Sequence, residues 1–332
     1  VDPTRYQRIR LWAGITSIGA NLALVWALAL TSGVWAARFP SFTASAMVLL
    51  ATAALATLAN LPFDMLTGDA VERAAGRTER ATSSWFKDWT KGRSITVLGA
   101  WAGMLFFSFL HQLPESFLPW LLLCAAIFTM VLFFLLPAGR KANQGSTLRK
   151  FEDDLALEVQ TLGVKLRQVR WFDHGDVETV NGYITPRGVL SLSDSVAQRL
   201  TPREAALMAA REEYYRRSGA WILIQVIVVV WTLLGILLAS MTPSLNPVQA
   251  GLSGAAVMTS WCFLALFVWP AINRILMRKA DVFLTSLVAK EEVHVLLQRI
   301  EHLNATDISL PAVKTAVFHP IPPLQERLSR LS

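Results

Sequence analysis

Six apolar windows decide what this chain can become: 11–37, 42–61, 94–110, 117–136, 220–241 and 254–272. Each runs for about 17 to 27 residues, enough for a helix to cross a hydrocarbon layer roughly 30 Å thick. Inside that layer the backbone N–H and C=O groups have no water to bond, so each window is read as a transmembrane helix that satisfies its own backbone. Composition agrees: 53% of the residues are hydrophobic and 17% charged, with a mean hydropathy of +0.42. Soluble domains carry about 25% charged residues. The first window is too long for a signal-peptide core and lacks a convincing cleavage site, so it counts as a span. The chain starts at Val1 and not at methionine, which reads as a trimmed start.

The pI near 9.7 and net charge of +7 come from cations grouped between windows. Arg5, Arg8 and Arg10 precede the first span; Arg73, Arg77, Arg80, Lys87, Lys91 and Arg93 lie between the second and third. Arg140, Lys141, Arg149 and Lys150 follow the fourth, and Arg274, Arg278 and Lys279 follow the sixth, while the opposite loops carry only Arg38. Lysine and arginine are retained on the cytoplasmic face, so both termini and every sizeable polar segment are expected there. No Arg-rich tract with interleaved aromatics occurs, and nucleic acid is not an expected partner. Cys124 and Cys262 fall inside apolar spans and read as small core residues.

The expected fold class is a polytopic α-helical membrane protein of about six transmembrane helices with a small cytoplasmic α+β domain. Residues 1–137 give four helices with a cytoplasmic amphipathic loop at 62–93. Residues 138–218 and 274–332 are two parts of one polar domain, interrupted by a two-span hairpin at 219–273. Apolar spacing predicts helices over 147–162, 194–200, 202–217 and, as one long element, 280–303. A strand is predicted over 164–172, and two more within 180–192 around a turn at Pro186-Arg187-Gly188. Seven of the 12 tryptophans, among them Trp85 and Trp89, fall near span ends or in the 62–93 loop, as in an aromatic belt.

Several short motifs recur in a fixed order. Leu61-Pro62-Phe63, Glu72, Gly76 and Trp85-Phe86-x-Asp88-x-x-Lys91 lie in the 62–93 loop, followed by Asn181-Gly182-Tyr183, Val189 to Val196, and the helix Thr201 to Arg217. After the hairpin come Arg274, Met277-Arg278-Lys279-Ala280-Asp281, His319-Pro320 and Arg327-Leu328. This order resembles the CAAX prenyl endopeptidase and HtpX-like family of integral-membrane zinc metallopeptidases, from roughly Asn60 to the C-terminus. The resemblance makes the polar domain metallopeptidase-like and Asn181, Gly182 and Tyr183 a peptide-binding strand. It places H-E-x-x-H, two imidazoles one turn apart with a glutamate between, at Arg211-Glu212-Glu213-Tyr214-Tyr215. The third ligand falls at Met277, with Asp281 behind it and His319 and Arg327 facing the substrate.

The three ligand positions are therefore Arg211, Tyr215 and Met277. Arginine cannot deprotonate to bind a metal, and a thioether is a poor zinc ligand. Zinc is expected to be absent, and Glu212 alone has no metal-activated water to work on. The site would then be vestigial: Arg211, Glu212, Tyr215, Met277, Asp281, His319 and Arg327, with Arg211 paired to Asp281 in place of the metal. Glu212 with Arg216 and Glu213 with Arg217 are spaced for helical salt bridges. Glu291, His294, Glu301 and His302 form a second group, read as a solvated helix face and not as a displaced metal site. The function expected is a pseudo-peptidase of the bacterial inner membrane that binds a membrane protein, a lipidated or peptide ligand, or a lipid. The alternative is an enzyme using a displaced metal, or metal-free chemistry around Glu212.

Overall fold

The structure is a computed structural model describing residues 3–39, 41–76, 78–135, 140–141, 146–173, 179–185, 187–304 and 321–331. It separates into two compact units, one comprising residues 1–135 and 227–265, the other 136–226 and 266–332.

The first unit is helical. Helix α1 (Pro3–Trp35) is followed by α2 (Phe42–Ala59), whose N-terminus is capped by the Ser41 hydroxyl accepting from the Ala44 amide. The chain stays helical past Asn60 through α3 (Leu61–Met65), one π-turn (Leu66–Ala70) and α4 (Val71–Ala74). Helix α5 (Thr82–Leu110) begins twelve residues before the expected window at 94, so Trp85 and Trp89 lie on its first turns. α6 (Leu118–Leu135) covers the fourth window. Five helices among the described residues are long and apolar enough to cross a membrane: Arg8–Arg38, Phe42–Ala74, Thr82–Leu110, Ala220–Ser240 and Pro247–Thr285. The last two are α10 (Ala220–Ser240) and α11 (Pro247–Thr285), and the division between the units falls inside both. Lipid tails give helices no hydrophobic reason to associate, so close packing of small residues must do it. Gly251 of α11 supplies it: a Cβ there would lie 2.6 Å from Ser108 Oγ and 2.8 Å from the Met104 carbonyl.

Polar pairs hold the 61–93 segment. Asp64 accepts from Trp89 Nε1 at 2.8 Å and Arg93 Nη2 at 2.5 Å. Glu72, 3% exposed, accepts from the Tyr6 hydroxyl at 2.5 Å and lies 3.2 Å from Arg10 Nη1. Gly68 sits in the π-turn because a Cβ would come within 2.9 Å of the Trp85 indole nitrogen.

The second unit is α+β. Strand β1 (Arg140–Lys141) pairs antiparallel with β2 (Gln168–Asp173), β2 runs parallel to β4 (Val189–Ser193), and β3 (Gly182–Ile184) pairs antiparallel with β4, in the order β1-β2-β4-β3. Thr185 and Gly188, the latter at φ +76°, close the β3–β4 turn. α7 (Ser146–Thr161), α8 (Asp194–Arg199) and α9 (Pro202–Arg217) match the helices expected from apolar spacing. Leu155, Leu190, Leu192, Val196, Leu284 and Leu297 form the core, each side chain worth about 1.5–3 kcal/mol on burial. The expected long helix over 280–303 is two elements. α11 ends at Thr285, and after a turn at 286–289 α12 (Lys290–Leu303) begins, followed by α13 (Leu324–Leu331). The turn tightens because the Ser286 and Leu287 amides bond only three residues back, to Phe283 and Leu284.

Candidate functional site

The site is organised by α9. Thr201 and Glu204 form a capping box, with Pro202 in the first turn where its missing N–H costs nothing. Ala205, Ala206, Ala209 and Ala210 are fully buried, and their small side chains let α9 lie close against β3 and α7. That packing fixes the next turn, Arg211 to Tyr215.

Arg211 turns to α11, where its Nε donates to Asp281 Oδ1 at 2.8 Å. From α13, Arg327 donates Nε to Asp281 Oδ2 at 2.7 Å and Nη2 to Oδ1 at 2.9 Å. Asp281 is 2% exposed and thus held between two guanidinium groups. The pairing expected for Arg211 is present, and Arg327 shares the same carboxylate. Burial alone would favour a neutral Arg211, but Asp281, with Glu212 and Tyr215 adding to it, raises its pKa. Arg211 Nη2 is enclosed and has no hydrogen-bond partner among the described residues.

Glu212 does not reach Arg216. Its closest cation is Arg211, at 4.0 Å, and burial pushes its carboxyl up to about 7, with Arg211 opposing and Asp281 adding to the rise. Arg216 bonds Glu213 instead, through Nε at 2.7 Å and also through Nη2. Glu213 is fully buried and also accepts Arg217 Nε at 3.1 Å, so it serves the helix end and not the site. Tyr215 packs edge-on to Tyr214, which meets Phe283 of α11, and burial raises the pKa of the Tyr215 phenol. The Met277 sulfur accepts from Asn273 Nδ2 at 3.6 Å.

Zinc requires deprotonated thiolate, neutral imidazole or carboxylate ligands. A guanidinium held protonated, a phenol pushed away from ionisation and a thioether engaged by an amide do not make such a set. Among the described residues no three His, Cys, Asp or Glu side chains gather where they could hold a metal ion. In the second group, Glu291 and His302 are exposed, but Glu301 is 8% exposed and the His294 Nε2 is enclosed, so that face is only partly solvated. His319 and Pro320 lie outside the described residues.

β3 is the edge of the described sheet and packs alongside α9; Gly182 is needed because a Cβ would meet Leu192 Cδ2 at 2.6 Å. Asn181 and Ser193 exchange bonds across the strand pair, and the Asn181 side-chain oxygen accepts from the Gly182 amide at 2.8 Å. The Tyr183 ring leans on Phe172, and its hydroxyl is enclosed without a partner among the described residues. One fixing residue was not foreseen. Asn304, at the end of α12, bonds both the N–H and the C=O of Val180, at 2.9 and 3.0 Å. Nothing in a single sequence marks that asparagine.

A unit of long apolar helices and an α+β unit, in which α9 pairs with an acidic residue on α11, define the class: a polytopic helical membrane protein with a small α+β domain. Residues 6–139 match the family model described as CAAX prenyl protease N-terminal, five membrane helices. Helices α2, α5 and α6, and α1 from residue 6 onward, lie within that match. No curated protein matches the chain by sequence. The crystal structure of S. mikatae Ste24p is similar in fold, with a TM-score of 0.68 and 15% identity over 94% of this chain and 80% of that one. The chain thus matches the CAAX prenyl protease N-terminal model over residues 6–139, and its fold is similar to that of Ste24p.

Proposed function

We propose that this chain is a catalytically inactive pseudo-peptidase on the CAAX-protease scaffold, a binding, assembly or regulatory subunit for a membrane protein, a lipidated peptide or a lipid. The observation that carries this reading is the Arg211–Asp281–Arg327 cluster. Arg211 stands where the resemblance puts the first zinc ligand, and two fixed cations neutralise Asp281 without a metal. Replacing a divalent ion by the Arg211 guanidinium keeps a cation beside Asp281 and the packing while removing the Lewis acid. The edge strand supports retained peptide binding. β3 is at the edge of the described sheet, with Asn181 exposed and Gly182 and Tyr183 half-buried, so an extended peptide adds there by main-chain bonds. The cation distribution supports a polar unit and both termini in the cytoplasm, and the membrane proposed for the chain is the bacterial inner membrane.

The test is a cleavage and binding assay with a farnesylated CAAX-type peptide, with and without a zinc chelator. The reading expects saturable binding and no cleavage above blank; chelator-sensitive cleavage overturns it. One observation favours a second reading. Glu212, with a carboxyl near pH 7, has the proton affinity of a general base, which would serve a metal-free hydrolase. That reading expects chelator-resistant turnover abolished by Glu212→Gln.

A further inference from the structure

A slot of about 350 Å³ lies between α1, α2, α5 and α11 within the helical unit, in the size range of ligand pockets. One end is polar. Asn60 ends α2 there, and Arg93 stands on α5, with Thr57 and Thr96 adding hydroxyls. The other end is apolar, formed by Ala100, Gly103, Met104, Phe107 and Leu252. At 1.5 Å per residue, Arg93 and Phe107 stand about 21 Å apart along α5.

Three features ask for an occupant. The space is kept open by small residues: a Cβ on Gly103 would meet nothing within 4 Å, whereas Gly251, on α11 in the same unit, is pressed against Ser108. Asn21 lines the slot, and its Oδ1 is enclosed with no hydrogen-bond partner among the described residues. A bare acceptor among membrane helices is costly, so the occupant should bring an O–H or N–H. Among the described residues Arg93 engages only Nη2, with Asp64, which leaves guanidinium donors for an anionic group at the polar end.

We propose that this slot binds a single-chain anionic lipid with a hydroxyl beside its head, the lysophospholipid class. The phosphate meets Arg93, the free glycerol hydroxyl serves Asn21, and the acyl chain runs past Ala100 and Gly103 toward Phe107. A two-chain phospholipid has that glycerol oxygen esterified and brings a second chain to a slot of about 350 Å³. The site lies in the helical unit and does not depend on the reading of Arg211.

The test uses the full chain in phosphatidylcholine nanodiscs with lysophosphatidylglycerol carrying a diazirine at the chain end, and maps the photolabel by peptide. Label should concentrate at 103–107 and 252–259. Gly103→Leu, whose side chain enters open space, should lower slot label about tenfold, and Arg93→Gln about fivefold. Label at Ile95 and Leu98, exposed at 70% and 55% on the same helix, should be unchanged. Gly103→Ala leaves room for the chain and should keep most of the label. Slot label indifferent to Gly103→Leu overturns the proposal. So does equal slot label from a neutral monoacylglycerol or a two-chain phosphatidylglycerol probe, or loss of label in Gly103→Ala together with a lowered melting temperature.

Discussion

Removing Arg211 and removing Arg327 should not cost the same. Asp281 is 2% exposed and accepts one N–H from Arg211, at 2.8 Å, and two from Arg327, at 2.7 and 2.9 Å. Stripping one partner from a buried ion pair costs about 3–5 kcal/mol, because the remaining charge is left without compensation. Arg211→Met removes one bond of the set and leaves the bidentate Arg327 in place, so about 2 kcal/mol is expected; Arg327→Met removes the bidentate partner and should cost about 3–4 kcal/mol. At about 2–4 °C per kcal/mol, these are losses of roughly 4–8 °C and 6–16 °C in melting temperature. Adding Asp281→Asn to either variant should recover part of the loss, with a coupling of about 1–3 kcal/mol. The assay is thermal unfolding in detergent followed by tryptophan fluorescence, at matched scan rate. Wild-type stability in Arg211→Met, or strict additivity with Asp281→Asn, would refute the idea that the guanidinium stands in for a structural cation.

Other outcomes follow from single contacts. The Glu212 carboxyl sits at about 7 in the folded chain against an ordinary value of 4.5. The folded state therefore holds that proton more tightly, and its contribution, full at pH below about 4.5, is lost as pH rises through 7. That gap is worth about 3 kcal/mol, trimmed to about 2 because the side chain is 21% exposed; Glu212→Gln should flatten the melting temperature between pH 5 and 8. Gly251→Leu drives a side chain into Ser108 and the Met104 carbonyl and should destabilise the helical unit by about 1–3 kcal/mol, read as a lower melting temperature in detergent. Asn304→Ala frees both backbone groups of Val180 and should cost about 1–3 kcal/mol, with faster amide exchange over 179–184.

The helices were legible because length and uniform apolarity leave a membrane segment few alternatives. α9 was readable to its bounds, since Thr201, Pro202 and Glu204 mark its start chemically. The long helix expected over 280–303 failed because apolar periodicity continues across 286–289 while the backbone turns. Periodicity reports which residues face a core, and it does not register a break whose flanking helices bury the same face. The 62–93 segment reads as an amphipathic loop, yet its charges are largely paired: Asp64 with Arg93, Asp69 with Arg73, and Glu72 with Arg10 of α1. At the site, the Arg211–Asp281 pair followed from the charge of two residues that the resemblance placed together. The Arg327 bonds and the redirection of Arg216 to Glu213 needed coordinates, because an i,i+4 spacing permits a pair without choosing between neighbouring glutamates.

The central claim is that the positive charge at this site is carried by arginine. It is tested most directly by the zinc content of the full chain purified without added metal and then dialysed against micromolar zinc. The account predicts a metal-to-protein ratio near zero for the natural chain, and a ratio near one for Arg211→His/Tyr215→His/Met277→Glu. One tightly held, chelator-removable zinc per natural chain would contradict it.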